Sequence, residues 1–338
     1  MLTPEISPTD SSPRTQNSER RGRGVHSQPL AVLNEQAKTR TFSLDDVNWE
    51  LKFDETKRWI PDNIVSLSFL PAFQSLSAAN QLKINQLASI GICEQFVWFE
   101  EDLLVTALEG VLKANDIQPD LKLCLTNFVK EERRHSAMFH RMLEKFDPDH
   151  YLKNRFHLVK LNFIQKFIFD RVVQNPKILL PWIWMAIFFE ERTLHVSQLY
   201  RKGQGTVDES FARVHALHMI DEARHLQIDQ YLLDAFYDAA PLWKKRLSAW
   251  LCYKIFSRYR SPKRIAERIL NRVIEMNSEN HDFNEVKTLK ELKKQLPTLR
   301  ESGKFSEQHF GPKVLPRTRE LMAQYPEMKH VYQTLFGS

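Results

Sequence analysis

The strongest constraint on this chain is a five-residue pattern that occurs twice. Glu131-Glu132-Arg133-Arg134-His135 and Asp221-Glu222-Ala223-Arg224-His225 both read acid, Glu, any residue, Arg, His. A single Glu-x-x-His among 338 residues with 12 histidines is expected by chance, whereas two copies that agree this far are not. The agreement continues upstream. Trp98-Phe99-Glu100-Glu101-Asp102-Leu103-Leu104 precedes the first copy and Phe188-Phe189-Glu190-Glu191-Arg192-Thr193-Leu194 the second, with Glu101 to Glu132 and Glu191 to Glu222 both spaced by 31 residues. The chain therefore reads as a duplicated pair of helices. Residues three apart lie on one helix face, so the Glu and His of each motif can point inward together.

The rest of the sequence suits that reading. With 42% hydrophobic residues the chain can bury a core, and only 9 glycines leave little for a turn-rich β-sandwich, a dinucleotide fingerprint or a phosphate loop. Apolar residues recur three and four apart from about 76 to 115, and again over 121–146, where Asp147-Pro148 closes the run. Further helices are expected over 151–174, over 176–202 before Gly203-Gln204-Gly205, over 208–239 before Ala240-Pro241, and as a basic amphipathic stretch over 242–276. The expected organisation is a flexible polar tail over 1–45, a helical-bundle catalytic domain over 46–275, and an extension over 276–338 of irregular chain and short helices. The fold class is all-α, a helical bundle with additional helices. Cys93, Cys124 and Cys252 have neither disulfide nor zinc spacing, which suits a reducing, cytoplasmic setting. The net charge of +6 is too mild to mark a nucleic-acid binder, and the most apolar run, Ile178 to Phe189, is too short for a bilayer span.

Each half offers a glutamate from one helix and a Glu-x-x-His from the next. Four carboxylates and two imidazoles from four helices are the inventory of a two-metal carboxylate bundle. Buried carboxylates without compensation each cost several kcal/mol, and two divalent cations cancel four negative charges. Oxygen and imidazole ligands without thiolate suit iron, with manganese as the alternative metal. Glu131 and Asp221, one residue before each ligand Glu, are placed to accept from a histidine of the neighbouring motif and fix its tautomer. Helical phase on the first helix slightly favours Glu100 over Glu101, which leaves Glu100 and Glu190 open beside Glu101 and Glu191. His218, four residues before Glu222 and seven before His225, breaks the symmetry, because its counterpart is Phe128. A third imidazole would make the two metals inequivalent.

His218-Met219-Ile220-Asp221-Glu222-Ala223-Arg224-His225, with Glu191 27 residues before His218 and Glu132-x-x-His135 upstream, resembles the para-aminobenzoate N-oxygenase family, the di-iron arylamine oxygenases of aureothin and chloramphenicol biosynthesis. The resemblance spans roughly residues 80–235. It implies a ferritin-like bundle with a dinuclear metal site in its core, two iron ions (Fe2+/Fe3+) held by Glu101, Glu132, His135, Glu191, His218, Glu222 and His225, and O2 as co-substrate. Its first glutamate is the weakest match, since the spacing to the Glu-x-x-His is shorter here, so Glu100 and even Glu94 stay open. The implied activity is a monooxygenase of secondary metabolism that oxidises the nitrogen of an amine, most simply an arylamine, to hydroxylamine, nitroso or nitro product. Electrons then come from an external donor or reductase, because no flavin or nicotinamide motif is visible, and a homodimer is implied.

Other readings compete. The two motifs can be surface ion pairs with Arg134 and Arg224, His218 can be a core histidine, and His140, His157, His195 and His215 are expected to be ordinary helix residues. A radical-generating ribonucleotide reductase subunit would place a tyrosine four residues after the first motif histidine, where this chain has Phe139. A di-iron hydroxylase or desaturase acting on carbon, and a non-enzymatic iron-binding ferritin-like protein, use the same six ligands.

Overall fold

The computed structural model describes residues 28–113, 116–203, 205–260 and 263–337. Among them there is no strand, only an isolated bridge between Arg58 and Val207. In chain order the helices are α1 (Leu30–Thr39), α2 (Ala78–Val97), α3 (Thr106–Leu112), α4 (Pro119–Phe146), α5 (Pro148–Tyr151), α6 (Phe163–Gln174), α7 (Pro181–Lys202), α8 (Glu209–Leu232), α9 (Leu242–Tyr259), α10 (Lys263–Glu279), α11 (Phe283–Gln295), α12 (Gly303–Phe310), α13 (Pro316–Ala323) and α14 (Lys329–Phe336).

Local chemistry sets the ends of the helices that matter most. Ser77 accepts from Asn80 N at the start of α2, and Asp208 accepts from Ser210 N and Phe211 N at the start of α8, so free amide donors are satisfied where each helix begins. Proline occupies the first turn of both α4 and α7, where its missing N–H costs nothing. Gly203 follows α7, whose last turn carries Arg201 and Lys202 against the helix dipole.

Two stretches leave the α-helical pattern. The long rod from 78 to 112 is interrupted by a π-helix over Trp98–Val105, between α2 and α3, and α8 runs into a second π-helix over Leu233–Asp238. The i→i+5 bonding of a π turn takes up more residues per turn and rotates everything after it, and such turns recur at functional sites. Glu100 and Glu101 lie inside the first.

The 78–112 rod, α4, α7 and α8 form the bundle, with α2 and its π segment on α4, α4 on α8, and α7 on α8. Phe128, Phe139, Trp182, Trp184 and Phe188 are wholly buried within it. The segment before α2 straps across the bundle: Asn85 Oδ1 accepts from Trp59 N and Ile60 N, and its amide donates to Ile60 O. The hairpin of α10 and α11 packs on α2 and the turns before it, while α13 packs on α7 and α14 on α9.

Three expectations need correction. Residues 1–27 of the expected tail lie outside the described residues, but within 28–45 the chain forms α1, which packs on α4 and α8 and buries Leu33 completely. The helix expected over 151–174 begins only at Phe163, because the chain before it is held irregular: the backbone amides of His157, Leu158 and Val159 donate to the buried Glu94 carboxylate. The basic stretch over 242–276 is two helices, α9 and α10, rather than one.

Candidate metal centre

Four helices bring six acidic and imidazole side chains to the centre of the bundle. Glu132 and His135 come from α4, Glu222 and His225 from α8, Glu100 from the π segment and Glu190 from α7, and His218 of α8 joins them. All seven are buried, none more than 2% exposed. One ligand atom from each of Glu132, His135, Glu222 and His225 lies within 4.8 Å of the others, and the same holds for Glu100, His135 and His218.

The distances arrange these groups into two overlapping halves. Glu132 Oε1 is 3.4 Å from His135 Nδ1 and 2.9 Å from His225 Nδ1. Glu222 Oε1 is 3.4 Å from His135 Nδ1, 2.9 Å from His218 Nε2 and 3.8 Å from His225 Nδ1. These two carboxylates are central. Glu100 Oε1 lies on one side, 3.1 Å from His218 Nε2, and Glu190 Oε2 on the other, 3.5 Å from His225 Nδ1. The His135 and His218 rings meet edge to face with centroids 4.3 Å apart.

The far nitrogens of the two motif histidines are fixed crosswise between the copies. His135 Nε2 lies 3.1 Å from Asp221 Oδ2 and His225 Nε2 lies 2.9 Å from Glu131 Oε2. Arg224 bridges the two acids, 2.7 Å from Glu131 and 2.8 Å from Asp221, and Arg134 reaches Asp221 at 2.7 Å. With a carboxylate on Nε2 of each ring, Nδ1 of both is left as the inward acceptor. The arginines of the motif therefore anchor the outer acids instead of pairing with the inner glutamates.

Inside that ring the inward-facing atoms lie close to one another, yet many of them make no hydrogen bond. Both Glu132 oxygens, Glu100 Oε2, Glu190 Oε2, Glu222 Oε1, His135 Nδ1, both His218 nitrogens and His225 Nδ1 are buried without a hydrogen bond. Burial, followed by repulsion from Glu132, Glu222 and Glu190, pushes the Glu100 carboxyl well above the usual range. Burial and Glu222 do the same to Glu190, and burial foremost carries Glu222 up to about 7. Burial and the neighbouring His225 depress His218 to about 3. At His225 burial alone would lower the value, but Glu132 and Glu131 overcome it and raise it well above the ordinary imidazole range in the metal-free chain. A core that forces carboxylates to keep protons and leaves their oxygens orphaned is what remains when divalent cations are taken from a carboxylate cage. The donor set is oxygen and imidazole, with the three cysteines buried and assigned to neither ligand group, so it fits two iron or manganese ions.

Two expected ligands lie elsewhere. Glu191 is turned away from the cluster: its carboxylate accepts from Arg317 N at 2.6 Å, Thr318 N at 2.7 Å and Thr318 Oγ1 at 2.7 Å, capping the start of α13. Glu101 is only partly buried and lines a surface groove with Arg133, Arg141 and Arg155. The inward members of the pairs are Glu190 and Glu100. On the first helix the π turn sets the phase, and on α7 the far face is claimed by the C-terminal segment. Glu94, the remaining alternative, accepts from Tyr151 Oη and three backbone amides of the 157–159 loop and is fully satisfied there.

One buried acid was not anticipated. Asp229, four residues after His225, is fully buried with both oxygens unpartnered, and burial followed by Glu190 holds its carboxyl well above the usual range. Its signal in the sequence is the row 218, 222, 225, 229 on one helix face. His215 is also buried, but its ring stacks on Tyr200 with centroids 3.9 Å apart, among Phe96 and Phe139, as a core residue does.

A cavity of about 270 Å³ lies beside the cluster. Phe96 separates the two, since its ring lines the cavity and meets His218 at 5.3 Å. Phe99 and Phe189, 4.7 Å apart, form the wall next to Glu100 and Glu190. The volume suits a substituted single aromatic ring, given that about 150 Å³ accommodates benzene. Its polar lining includes Arg192, whose guanidinium donates to His309 O at 3.2 Å and lies 3.1 Å from His309 Nδ1.

No curated protein matches the chain. The family model described as P-aminobenzoate N-oxygenase AurF matches residues 26–281, well over half of the chain and all of the cluster. By that match, together with the doubled Glu-x-x-His and the third histidine on α8, the chain belongs to the P-aminobenzoate N-oxygenase AurF family.

Proposed function

We propose that the chain is a di-iron oxygenase that uses O2 to oxidise the nitrogen of an aromatic amine, giving hydroxylamine, nitroso or nitro product. The observation that carries this reading is the convergence of orphaned, buried carboxylate and imidazole atoms from four helices beside an aromatic-walled cavity. Membership of an oxygenase family supports the reaction class.

In this reading Glu100, Glu132, His135, Glu190, His218, Glu222 and His225 would hold the two irons. When bound, the pair of irons supplies O2 activation and the redox equivalents. Asp221 and Glu131 keep the Nδ1 lone pairs of His135 and His225 aimed inward. Phe96, Phe99 and Phe189 keep bulk water from the centre and hold the amine against it. Arg192 faces the same cavity and orients the polar end of the substrate. An external donor supplies electrons, a homodimer is implied by the family resemblance, and the three scattered cysteines suit a cytoplasmic setting. No helix among the described residues is long and apolar enough to cross a membrane.

The test is anaerobic Fe(II) loading with metal quantification, then O2 exposure followed by visible absorption and an arylamine panel read by mass spectrometry. Wild-type chain should retain about two irons and convert an arylamine. Glu222→Ala should lose both properties, while His218→Ala keeps part of its iron with impaired oxygen chemistry. Unaltered amine oxidation by Glu222→Ala, or a wild-type chain that retains no metal, overturns the assignment.

A further inference from the structure

Most of the large apolar side chains exposed among the described residues fall on one side of the molecule, on α6, α9 and the loops that flank α6. On α6, Phe163 is 86% exposed, Ile164 67%, Phe167 52% and Ile168 43%. On α9, Trp243 and Trp250 are more than half exposed, two turns apart on the face opposite the buried Ala249, Cys252 and Phe256. A scattered apolar residue on a surface is ordinary, but two helices that both turn aromatic rings outward require a partner.

The two faces form one surface. Both helices pack on α7. Near the start of α6, Gln165 Oε1 accepts from Arg264 Nη1 at 2.6 Å, just beyond the end of α9, and after the end of α6, Lys177 O accepts from Lys244 Nζ at 3.3 Å in the first turn of α9. These two ties bring the start of α6 near the end of α9 and the end of α6 near its start, so the two helices run antiparallel.

The charge of that surface identifies the partner. On its outer side α9 carries Lys244, Arg246, Lys254 and Arg258, while Lys245 and Arg260 turn back to Asp238 O and Thr334 O, and no residue from 242 to 260 is acidic. Cations sit beside the exposed rings: Arg171 lies over Phe167 at 5.1 Å, Lys244 over Trp243 at 5.7 Å and Lys254 over Trp250 at 5.8 Å. Aromatic rings with basic groups reaching past them are the composition of a segment that lies in the headgroup layer of an anionic bilayer. A second copy of the chain fits less well, because a two-fold contact through this face would set the acid-free row of α9 against itself.

We propose that the α6/α9 face is a docking surface for an anionic lipid bilayer, onto which the chain binds peripherally. The side-chain cavity lies at the edge of that face: the exposed Leu161, two residues before α6, lines it together with Val159, Tyr259 and Ile265. Docking therefore brings the Leu161 edge of the cavity lining to the membrane surface, where an apolar amine concentrates. The docking itself does not depend on the metal centre.

The test is flotation of the full chain with vesicles of phosphatidylcholine alone or with about 30 mol% phosphatidylglycerol, at about 0.1 M and about 0.5 M salt. The chain should float with the anionic vesicles only and be released by the higher salt. The double variant F167S/W250S and the charge variant R246E/K254E, all four positions on the outer face, should each bind roughly tenfold more weakly or worse while circular dichroism stays that of the parent. Failure of the wild-type chain to float with anionic vesicles overturns the proposal, as does parental binding by both variants. So does a concentration-dependent dimer in sedimentation that F167S/W250S abolishes in a chain that never floats, since the face then serves a second copy.

Discussion

Glu190 and Glu191 are adjacent in sequence but turn to different neighbours, the cluster and α13, so the same substitution at each position separates metal binding from packing. Gln at 191 keeps the size of the side chain but removes the charge and places an NH2 group where three donors converge, Arg317 N, Thr318 N and Thr318 Oγ1. Hydrogen bonds to a charged group contribute about 1.5–3 kcal/mol each, and the amide oxygen can still accept one or two of the three. The expected loss is about 3 kcal/mol, comparable to the removal of a helix cap with an added buried donor. In a chain of this size that lowers the melting temperature by about 5 °C. Gln at 190 loses no hydrogen bond at Oε2, which has no protein partner, and it removes a buried carboxyl that burial holds protonated. The metal-free Glu190→Gln chain should therefore melt at or above the parental temperature, yet retain about one iron or fewer in place of about two. The assays are calorimetry of the metal-free proteins and iron quantification after anaerobic loading and desalting. Glu191→Gln should keep its iron and lose stability. The reverse pattern, with iron lost from Glu191→Gln at unchanged metal-free stability and both irons kept by Glu190→Gln, would refute the placement of these carboxylates.

Two further outcomes follow from the outer acids and from the protons held in the core. Asp221→Asn leaves His135 Nε2 without a charged acceptor and weakens the anchoring of Arg134 and Arg224, so iron affinity should fall roughly 10–100-fold, measured by competition with a chelator; an unchanged affinity would show that the outer acid does not orient the ring. Metal-free stability should decline as pH rises above about 6.5. Glu100, Glu190 and Asp229, held well above the ordinary carboxyl range, and His225, held well above the ordinary imidazole range, keep protons in the folded chain that the unfolded chain has released, and Glu222, pushed up to about 7, adds to the loss as pH approaches that value. His135, His215 and His218 are depressed and act in the opposite sense, but only below about 6.5, where the unfolded histidines are protonated. Bound metal replaces those protons and should flatten the decline, and a metal-free melting temperature that climbs above that pH contradicts the buried-carboxylate account.

The doubled acid-Glu-x-Arg-His pattern by itself determined the helical class, the pairing of helices and the inner pair of motifs, because an i, i+3 spacing fixes a helix face whatever surrounds it. It also placed Glu131 and Asp221 beside the histidines of the opposite motif, where Arg224 joins them, although that arginine was read only as a surface partner. Repeat spacing could not decide which member of Glu100-Glu101 and Glu190-Glu191 points inward. Adjacent helical residues differ by about 100°, and on the first helix plain helical phase already favours Glu100, whereas the resemblance and the repeat point to Glu101; the inward residue, Glu100, lies within the π turn over Trp98–Val105. On α7 the choice depends on α13, more than a hundred residues later, whose first amide groups donate to the Glu191 carboxylate. The irregular chain before α6 is of the same kind: its residues read as helical locally, but Glu94 gathers three consecutive backbone amides that a helix would have used internally. Periodicity records which faces are apolar, whereas a buried carboxylate is satisfied by whichever donors the fold brings to it, and those donors come from parts of the chain that no local pattern connects.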